Sequence, residues 1–175
     1  QLHLPHPPPL TQTTPRVAIV GLGYVGLPLS ATFAEGGVPV LGLDAVQAKV
    51  DLVNSGTSYI EDVPSDRLAP LVQKGLIRAT TSWDELRAVD SIIICLPTPL
   101  TEHREPDLSA VLGAAESMAQ RVRPGHLVVL ESTTYPGTTR EELAPVLDRS
   151  GLRAGRDFHV ALSPARVAPG REDWT

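Results

Sequence analysis

Three closely spaced glycines, placed between an apolar segment and an amphipathic one, constrain the fold of this chain most strongly. Residues 16–20 are short, apolar and followed at once by Gly21, as is typical of a buried parallel strand. Residues 23–35 carry apolar side chains at helical spacing and end at two further glycines. Gly21, Gly23 and Gly26 therefore form a G-x-G-x-x-G turn that leads from a strand into a helix.

Each glycine of this turn has a physical reason. Gly21 permits the tight turn, Gly23 lets the backbone approach a pyrophosphate, and Gly26 allows the helix to pack closely on the strand. The N–H groups that the turn leaves free, together with the helix dipole, can hold anionic phosphates. The alternative is a glycine-rich turn that binds nothing.

Asp44 completes the pattern of a dinucleotide-binding site. It follows the apolar segment 38–43 and lies 18 residues after Gly26, close to the usual offset of about 20. Its carboxylate can accept hydrogen bonds from an adenine ribose and would repel a 2′-phosphate. The sequence therefore predicts NAD, in preference to NADP, as the cofactor.

Strand and helix segments alternate through the rest of the chain. Strands are predicted at 16–20, 38–43, 76–79, 91–96, 126–130 and 158–162, and helices at 23–35, 45–54, 65–74, 82–89, 107–122 and 138–149. Ser82 and Asp107 are candidate N-caps. Strands that are apolar on both faces, with a helix in each crossover, predict an α/β fold of the doubly wound Rossmann type, a mostly parallel sheet with helices on both faces.

Composition excludes several classes of protein. A single cysteine, Cys95, excludes an intramolecular disulfide, and the five histidines lack the spacing of metal ligands. No apolar run reaches the 18 or so residues of a membrane span. A net charge of −5 argues against binding to nucleic acid. We therefore expect a cytoplasmic protein with no metal and no nucleic-acid or membrane partner.

The two ends of the chain differ from its centre. Residues 1–15 contain five prolines without periodicity, which predicts a disordered tail before a domain at 16–175. The alternative for the tail is a proline-rich ligand for a partner domain. With no initiator Met, no secretory leader and no closing element before Thr175, we expect a processed or excised chain whose later domains lie beyond this residue.

Hydroxyl and proline residues follow three successive strands of the predicted sheet. Pro97 and Thr98 come after the fourth strand, Ser132 and Thr133 after the fifth, and residues 163–166 after the sixth. Open α/β sheets bind ligands at the carboxyl ends of their strands. These residues are candidates for the wall of a nicotinamide pocket, and ordinary turn chemistry is the alternative.

Five segments in order resemble the N-terminal NAD-binding domain of the UDP-glucose/GDP-mannose dehydrogenase family. They are GLGYVGLPL, NSGTSYIED, PTPLTEHREPDLS, LVVLESTTYPGTT and LSPARVAPG, and the similarity covers about residues 16–175. The third segment and ESTTYPGTT most resemble UDP-N-acetylglucosamine 6-dehydrogenases. The resemblance implies oxidation of the C6 alcohol of a UDP-sugar through an aldehyde to a carboxylate, with two NAD reduced and a cysteine carrying the intermediate. It also implies a homo-oligomer for the full-length protein.

The resemblance further implies which residues bind the cofactor. The set comprises Gly21, Gly23, Gly26 and the amides around Tyr24 and Val25 for the pyrophosphate, Asp44 and Lys49 for the adenine ribose, and Pro97, Thr98, Ser132 and Thr133 for the nicotinamide side. Thr133 is also the candidate for positioning the hydrolytic water.

Two departures from the family pattern bear on catalysis. The family's G-G-H-C segment, which holds its catalytic cysteine, is absent from this chain, and Cys95 is interpreted as a buried strand thiol. We therefore expect this chain to bind NAD without turnover. Ala165 stands where the family has an acid that assists hydrolysis, and alanine cannot accept a proton. Either that step is impaired, or another group substitutes, or the acid was removed.

Two other functions are compatible with the sequence. One is another NAD-dependent dehydrogenase of the same superfamily, of the 3-hydroxyacid or 6-phosphogluconate type. The other is a stand-alone, non-catalytic NAD-binding module, which Ala165 and the missing cysteine segment favour.

Overall fold

The computed structural model describes residues 14–99, 101–105, 107–132, 144–148 and 159–164. Most of the predicted tail, most of the helix predicted at 138–149 and everything after residue 164 lie outside these ranges. No helix within them is long and apolar enough to cross a membrane.

Strands and helices alternate as the sequence predicts. The elements are β1 (Val17–Val20), α1 (Gly26–Glu35), β2 (Val40–Leu43), α2 (Gln47–Asn54), α3 (Ser65–Gln73), β3 (Ile77–Thr80), a 3-10 helix (Trp83–Ala88), β4 (Ser91–Ile94), α4 (Ser109–Ala119), β5 (Leu127–Ser132), α5 (Ala144–Leu147) and β6 (His159–Pro164). The helix expected from residue 23 begins only at Gly26, because residues 23–25 form the turn that enters it.

The six strands form one sheet in the order β3-β2-β1-β4-β5-β6, and every strand pairing is parallel. The chain builds outward from β1 to β3, returns to the middle, and then builds outward again from β4 to β6. This arrangement confirms the doubly wound fold. It also places a reversal of strand order between β1 and β4, where such sheets bind ligands.

Side chains that alternate along each strand reach two separate cores. Ile19 faces a core that contains buried residues of α1, α2 and α3, whereas its neighbour Ala18 faces a core with residues of α4, α5 and the 3-10 helix. Both residues are fully buried. Helices therefore cover both faces, which explains why the strands are apolar throughout.

The two predicted N-caps have different outcomes. Ser82 precedes the 3-10 helix, but its side chain makes no capping hydrogen bond, so that prediction is wrong in its chemistry. Asp107 lies one residue before the assigned cap of α4, and its Oδ1 accepts a hydrogen bond from the Ser109 N–H at 2.9 Å. Hydrogen bonds from Ser109 lower the pKa of Asp107, so its carboxylate fixes the start of α4.

Candidate functional site

A cleft of about 460 Å³ opens at the carboxyl ends of β1, β2, β4 and β5. Its walls are formed by Gly21, Gly23, Tyr24, Val25, Asp44, Lys49, Cys95, Leu96, Pro97, Thr98 and Glu131. The cleft therefore lies where the strand order reverses, and its volume is that of a small-molecule or cofactor site. Eight of these eleven residues belong to the set predicted from the sequence.

Gly21 is required at the end of β1 for two reasons. Its φ of +97° lies in the left-handed region, which side chains disfavour. A Cβ atom at this position would also lie 2.8 Å from the carbonyl oxygen of Cys95 on the neighbouring β4 side. The turn can therefore leave β1 only where residue 21 has no side chain.

Gly26 has a packing role. A Cβ atom there would lie 1.7 Å from the carbonyl oxygen of Gly21, so α1 could not begin so close to the turn with any larger residue. Gly26 is buried and is not among the residues that line the cleft. The close packing between helix and strand that the sequence analysis expects of Gly26 is therefore what the structure shows, whereas the cleft is lined by its neighbours Gly23, Tyr24 and Val25.

Gly23 differs from the other two glycines. A Cβ atom at this position would meet no atom of the described residues within 4 Å, although the residue lines the cleft. No described neighbour explains a glycine here, whereas a bound group that approaches the backbone closely does. The space beside Gly23 is the feature that a pyrophosphate would fill.

The start of α1 offers hydrogen-bond donors toward this space. Within the described part of the chain, we find no acceptor for the N–H groups of Gly23, Tyr24 and Val25, and the helical bonds begin with Leu27 N–H donating to the Gly23 carbonyl oxygen at 3.1 Å. Unpaired amides at a helix start form an anion-binding site together with the helix dipole. The residues present therefore fit a phosphate-bearing cofactor.

Asp44 joins two loops of the site. Its Oδ2 accepts a hydrogen bond from the Leu22 N–H at 3.0 Å, and its Oδ1 accepts one from the Val46 N–H at 2.9 Å. A carboxylate has about four acceptor positions. Asp44 therefore holds the glycine turn against the end of β2 and keeps acceptor capacity for the hydroxyl groups of a ribose.

Tyr59, which the sequence reasoning missed, contacts the glycine turn without lining the cleft. Its hydroxyl donates a hydrogen bond to the Leu22 carbonyl oxygen at 2.5 Å, and Lys49 Nζ lies 5.8 Å from the centre of its ring. Burial and the nearby Asp44 carboxylate raise the pKa of Tyr59 to about 12. The only signal was its position in the segment NSGTSYIED, because Tyr59 and Leu22 are 37 residues apart.

The opposite end of the cleft is formed by residues that follow β4 and end β5. Pro97 and Thr98, both in the set named from the sequence, line it together with the half-buried Glu131 and with Cys95, which are not in that set. Burial, with a smaller contribution from Glu131, raises the pKa of the Cys95 thiol to about 12. Cys95 therefore stays a neutral thiol at ordinary pH and is a poor nucleophile.

A second, apolar pocket of about 260 Å³ adjoins the cleft. Its lining comprises Val20, Gly21, Leu43, Asp44, Ala45, Trp83, Leu96, Ala110 and Ala114. Gly21, Asp44 and Leu96 border both spaces. A flat apolar group linked to a ribose could therefore occupy the pocket while the ribose reaches Asp44.

Some of the predicted site residues lie outside the described ranges. Thr133 and Ala165 are among them, and Ser132 ends β5 with a side chain that is also outside the description. Among the residues that are described, no three His, Cys, Asp or Glu side chains are grouped so as to hold a metal ion.

Comparison with known proteins gives the site a context. A profile of the UDP-glucose/GDP-mannose dehydrogenase family, NAD binding domain, matches residues 15–172. The chain is 37% identical over 159 residues to a UDP-N-acetyl-D-glucosamine 6-dehydrogenase of Pseudomonas aeruginosa, a match that covers 90% of this chain and 37% of the relative. It is 40% identical over 158 residues to a UDP-N-acetyl-D-mannosamine dehydrogenase of Pyrococcus horikoshii, with coverage of 89% and 37% respectively.

Solved structures agree with this grouping. The UDP-D-ManNAc dehydrogenase of Pyrococcus horikoshii superposes with a TM-score of 0.82 at 40% identity, over 89% of this chain and 37% of that one. A ternary complex of GDP-mannose dehydrogenase from Pseudomonas aeruginosa gives a TM-score of 0.82 at 30% identity, over 87% and 36%. The chain thus spans little more than a third of the length of these relatives.

Proposed function

The chain belongs to the UDP-glucose/GDP-mannose dehydrogenase family as its NAD-binding domain, and from that premise we propose that the whole protein is a nucleotide-sugar 6-dehydrogenase. Its proposed substrate is a UDP-N-acetylhexosamine, whose C6 alcohol is oxidised to a carboxylic acid. The observation that carries the proposal is the space beside Gly23, bordered by unpaired amides and by Asp44.

The chemistry of the lining residues assigns each part of NAD to either the cleft or the adjoining apolar pocket. The apolar pocket that Trp83 lines suits the adenine, and Asp44 and Lys49, which both line the cleft, suit the adenine ribose. The amides of residues 23–25 suit the pyrophosphate, which leaves the end of the cleft at Thr98 for the nicotinamide. Pro97 borders the same end, and Ser132 and Thr133 are proposed there from their place at the end of β5.

The chain's own residues bind and orient the cofactor, and they do not supply the covalent step. When bound, NAD accepts a hydride at each of the two oxidation steps. The first removes two electrons from the alcohol to give the aldehyde, and the second, with one water, gives the acid. The Cys95 thiol, with its raised pKa, does not trap the aldehyde. That cysteine must come from a segment other than the 175 residues present here.

Ala165 bears on the last step, the hydrolysis that releases the acid from the cysteine-bound intermediate. Ala165 stands where a proton-accepting side chain is expected, so we propose that hydrolysis is slow or depends on a water positioned by Thr133. In the whole protein, Ala165→Glu is expected to accelerate the hydrolysis that releases the acid from the cysteine-bound intermediate, without changing the affinity for NAD.

Two acetylated sugars are candidates for the substrate. Relatives that act on UDP-N-acetyl-D-glucosamine and on UDP-N-acetyl-D-mannosamine have similar identity to this chain. The segments PTPLTEHREPDLS and ESTTYPGTT favour the gluco sugar as the first substrate to test.

The experiment is to incubate the whole protein with NAD and each UDP-sugar in turn and to measure NADH and the sugar product. Two NADH for each uronic acid formed support the proposal. Oxidation of a 3-hydroxy acid or of 6-phosphogluconate in place of any UDP-sugar would contradict it, and NAD binding without oxidation of any substrate would identify a binding module.

Further proposals concern the domain boundary, the cellular location and the oligomeric state of the whole protein. The profile match begins at residue 15, which supports a domain that starts there and excludes most of the proline-rich segment. A cytoplasmic homo-oligomer without nucleic-acid or membrane partners is proposed as well, and light scattering of the whole protein would measure its oligomeric state.

A further inference from the structure

Leu22, the first variable residue of the glycine motif, is held at three points. Its N–H donates a hydrogen bond to Asp44 Oδ2 at 3.0 Å, and its carbonyl oxygen accepts one from the Tyr59 hydroxyl at 2.5 Å. Its side chain is fully buried and so close to Gly42 that a Cβ atom there would lie 2.9 Å from it. Both peptide units that flank Leu22 therefore have a fixed orientation.

The orientation of one peptide unit determines where the Gly23 N–H points. The Leu22 carbonyl and the Gly23 N–H belong to the same trans peptide, so they point in opposite directions. Gly23 lines the cleft, whereas Tyr59 does not. By holding the carbonyl, the Tyr59 hydroxyl turns the Gly23 N–H away from itself. A carbonyl that accepts a hydrogen bond also polarises its peptide, which makes the N–H a stronger donor.

The groups around Tyr59 keep its hydroxyl in position to donate a hydrogen bond to the Leu22 carbonyl oxygen. Lys49 lies over its ring within cation–π range, and the ring packs against the core that α1, α2 and α3 cover. Because burial and Asp44 raise the pKa of Tyr59 to about 12, its hydroxyl stays protonated and remains a donor. The described residues thus hold the ring in place and keep its hydroxyl as a hydrogen-bond donor to the Leu22 carbonyl oxygen.

We propose that Tyr59 is a positioning residue for pyrophosphate binding, which acts on the cofactor only through the Leu22–Gly23 peptide. The inference rests on the proposed NAD site and deepens it. It adds to the glycine motif a tyrosine in the loop that follows α2, which orients one of the amides on which the motif depends.

The test compares Tyr59→Phe with the unsubstituted chain in a calorimetric titration with NAD. Phenylalanine keeps the ring beneath Lys49 and removes only the hydroxyl. The affinity for NAD is expected to fall about 3- to 10-fold, the effect of weakening one hydrogen bond. The affinity for adenosine, measured by NMR titration, is expected to stay the same because adenosine has no pyrophosphate.

Ser58→Ala is the matched control, because it removes a neighbouring hydroxyl of the same loop whose hydrogen bonds, among the described residues, are to Ile60. NAD affinity is expected to be unchanged in this variant. In ¹H–¹⁵N spectra, the Gly23 amide should shift on NAD addition in the unsubstituted chain and in Ser58→Ala, and much less in Tyr59→Phe. Thermal unfolding of each variant checks that it is folded.

Three results would overturn the inference. They are equal NAD affinity in Tyr59→Phe, an equal loss in Ser58→Ala, or a parallel loss of adenosine affinity, which would indicate a general disturbance of the loop. If the unsubstituted chain does not bind NAD, the proposed function fails, and the inference fails with it. NAD binding that Tyr59→Phe leaves unchanged contradicts the inference alone.

Discussion

The two halves of the sheet border one cleft but form its walls differently. At the ends of β1 and β2, the glycine turn lines the cleft, and loops distant in sequence hold its backbone through the Asp44 carboxylate and the Tyr59 hydroxyl. At the ends of β4 and β5, side chains such as those of Thr98 and Glu131 line the wall beside the thiol of Cys95.

We therefore expect substitutions on the two sides of the cleft to have different effects. On the first side, a substitution alters either the packing of the glycine turn or the space beside it, so we expect effects on folding or on phosphate binding. On the second side, we expect a substitution of Thr98 or Glu131 to change the groups that face the ligand. Three predictions test the first side and a fourth tests the opposite end of the sheet, and they run from the largest expected effect to the smallest.

Gly26→Ala is expected to be the most damaging single change. The added Cβ would lie 1.7 Å from the Gly21 carbonyl oxygen, so α1 must shift, at a cost of about 3 kcal/mol or more in the free energy of unfolding. Urea denaturation measures this loss. Gly113→Ala in α4 is the control, since a Cβ there meets no described atom within 4 Å, and it should stabilise the chain by about 0.5–1 kcal/mol. A Gly26→Ala variant of unchanged stability would refute the packing role.

Asp44→Asn is expected to weaken NAD binding roughly 10- to 100-fold, because hydrogen bonds to a charged acceptor are lost. An amide also offers a donor in place of one of the two oxygens that accept the N–H groups of Leu22 and Val46. Calorimetry measures the affinity. The control is Asp51→Asn, an exposed carboxylate of α2 that accepts a hydrogen bond from Gln47, and an equal loss in that variant would show that net charge, and not the site, is responsible.

Gly23→Ala should separate binding from stability. A Cβ there meets no atom of the described chain within 4 Å, so the free energy of unfolding should change by less than about 0.5 kcal/mol. The methyl group would occupy the space assigned to the pyrophosphate, and NAD affinity should fall about tenfold or more. Unchanged affinity in a folded Gly23→Ala variant would mean that the phosphates bind elsewhere.

His126 lies just before β5, at the end of the sheet opposite the cleft. Because of this position, we expect its titration to change the stability of the chain and not its affinity for NAD. It is fully buried, its Nε2 is 2.8 Å from the Val89 carbonyl oxygen, and its Nδ1 accepts the Arg123 N–H at 3.2 Å. Burial, the main cause, lowers its pKa below the ordinary 6.5, despite an opposing contribution from the Val89 carbonyl. The His126 imidazole is therefore neutral in the folded state at neutral pH.

The sign of this effect follows from proton binding. Below pH 6.5 the unfolded chain takes up a proton that the folded chain does not, so stability is complete above that pH and falls as the pH decreases, by at most about 1.4 kcal/mol per pH unit. Urea denaturation between about pH 7.5 and about pH 5 should show a shallower dependence in His126→Gln. An identical slope would contradict the assignment, as would a matching change in NAD affinity.

The same division explains which parts of the site could be predicted from the sequence. Gly21 and Gly26 were predictable because backbone conformation and close packing restrict which residues fit there, and Gly23 and Asp44 were predictable from their offsets in the same motif. The alternation of apolar segments likewise predicted six strands, and the structure pairs them in one parallel sheet. These constraints are local, so they are visible in a single sequence.

Contacts between distant loops are not visible in this way. The bond from Tyr59 to the Leu22 carbonyl depends on how a loop folds over the end of β1, which no spacing rule encodes. Glu131 lines the cleft from within β5, which ends at Ser132, two residues later than predicted. The assignments of Thr133 and Ala165 come from the family resemblance, and they lie outside the described residues.

The most direct test of the NAD site is a calorimetric titration of this chain with NAD and, in parallel, with NADP. We predict that NAD binds and that NADP binds at least about tenfold more weakly, because the Asp44 carboxylate repels a 2′-phosphate. In Asp44→Asn the difference between the two should shrink. Equal affinities in the unsubstituted chain, or no binding of either, would contradict the assignment of the glycine turn and Asp44 as an NAD site.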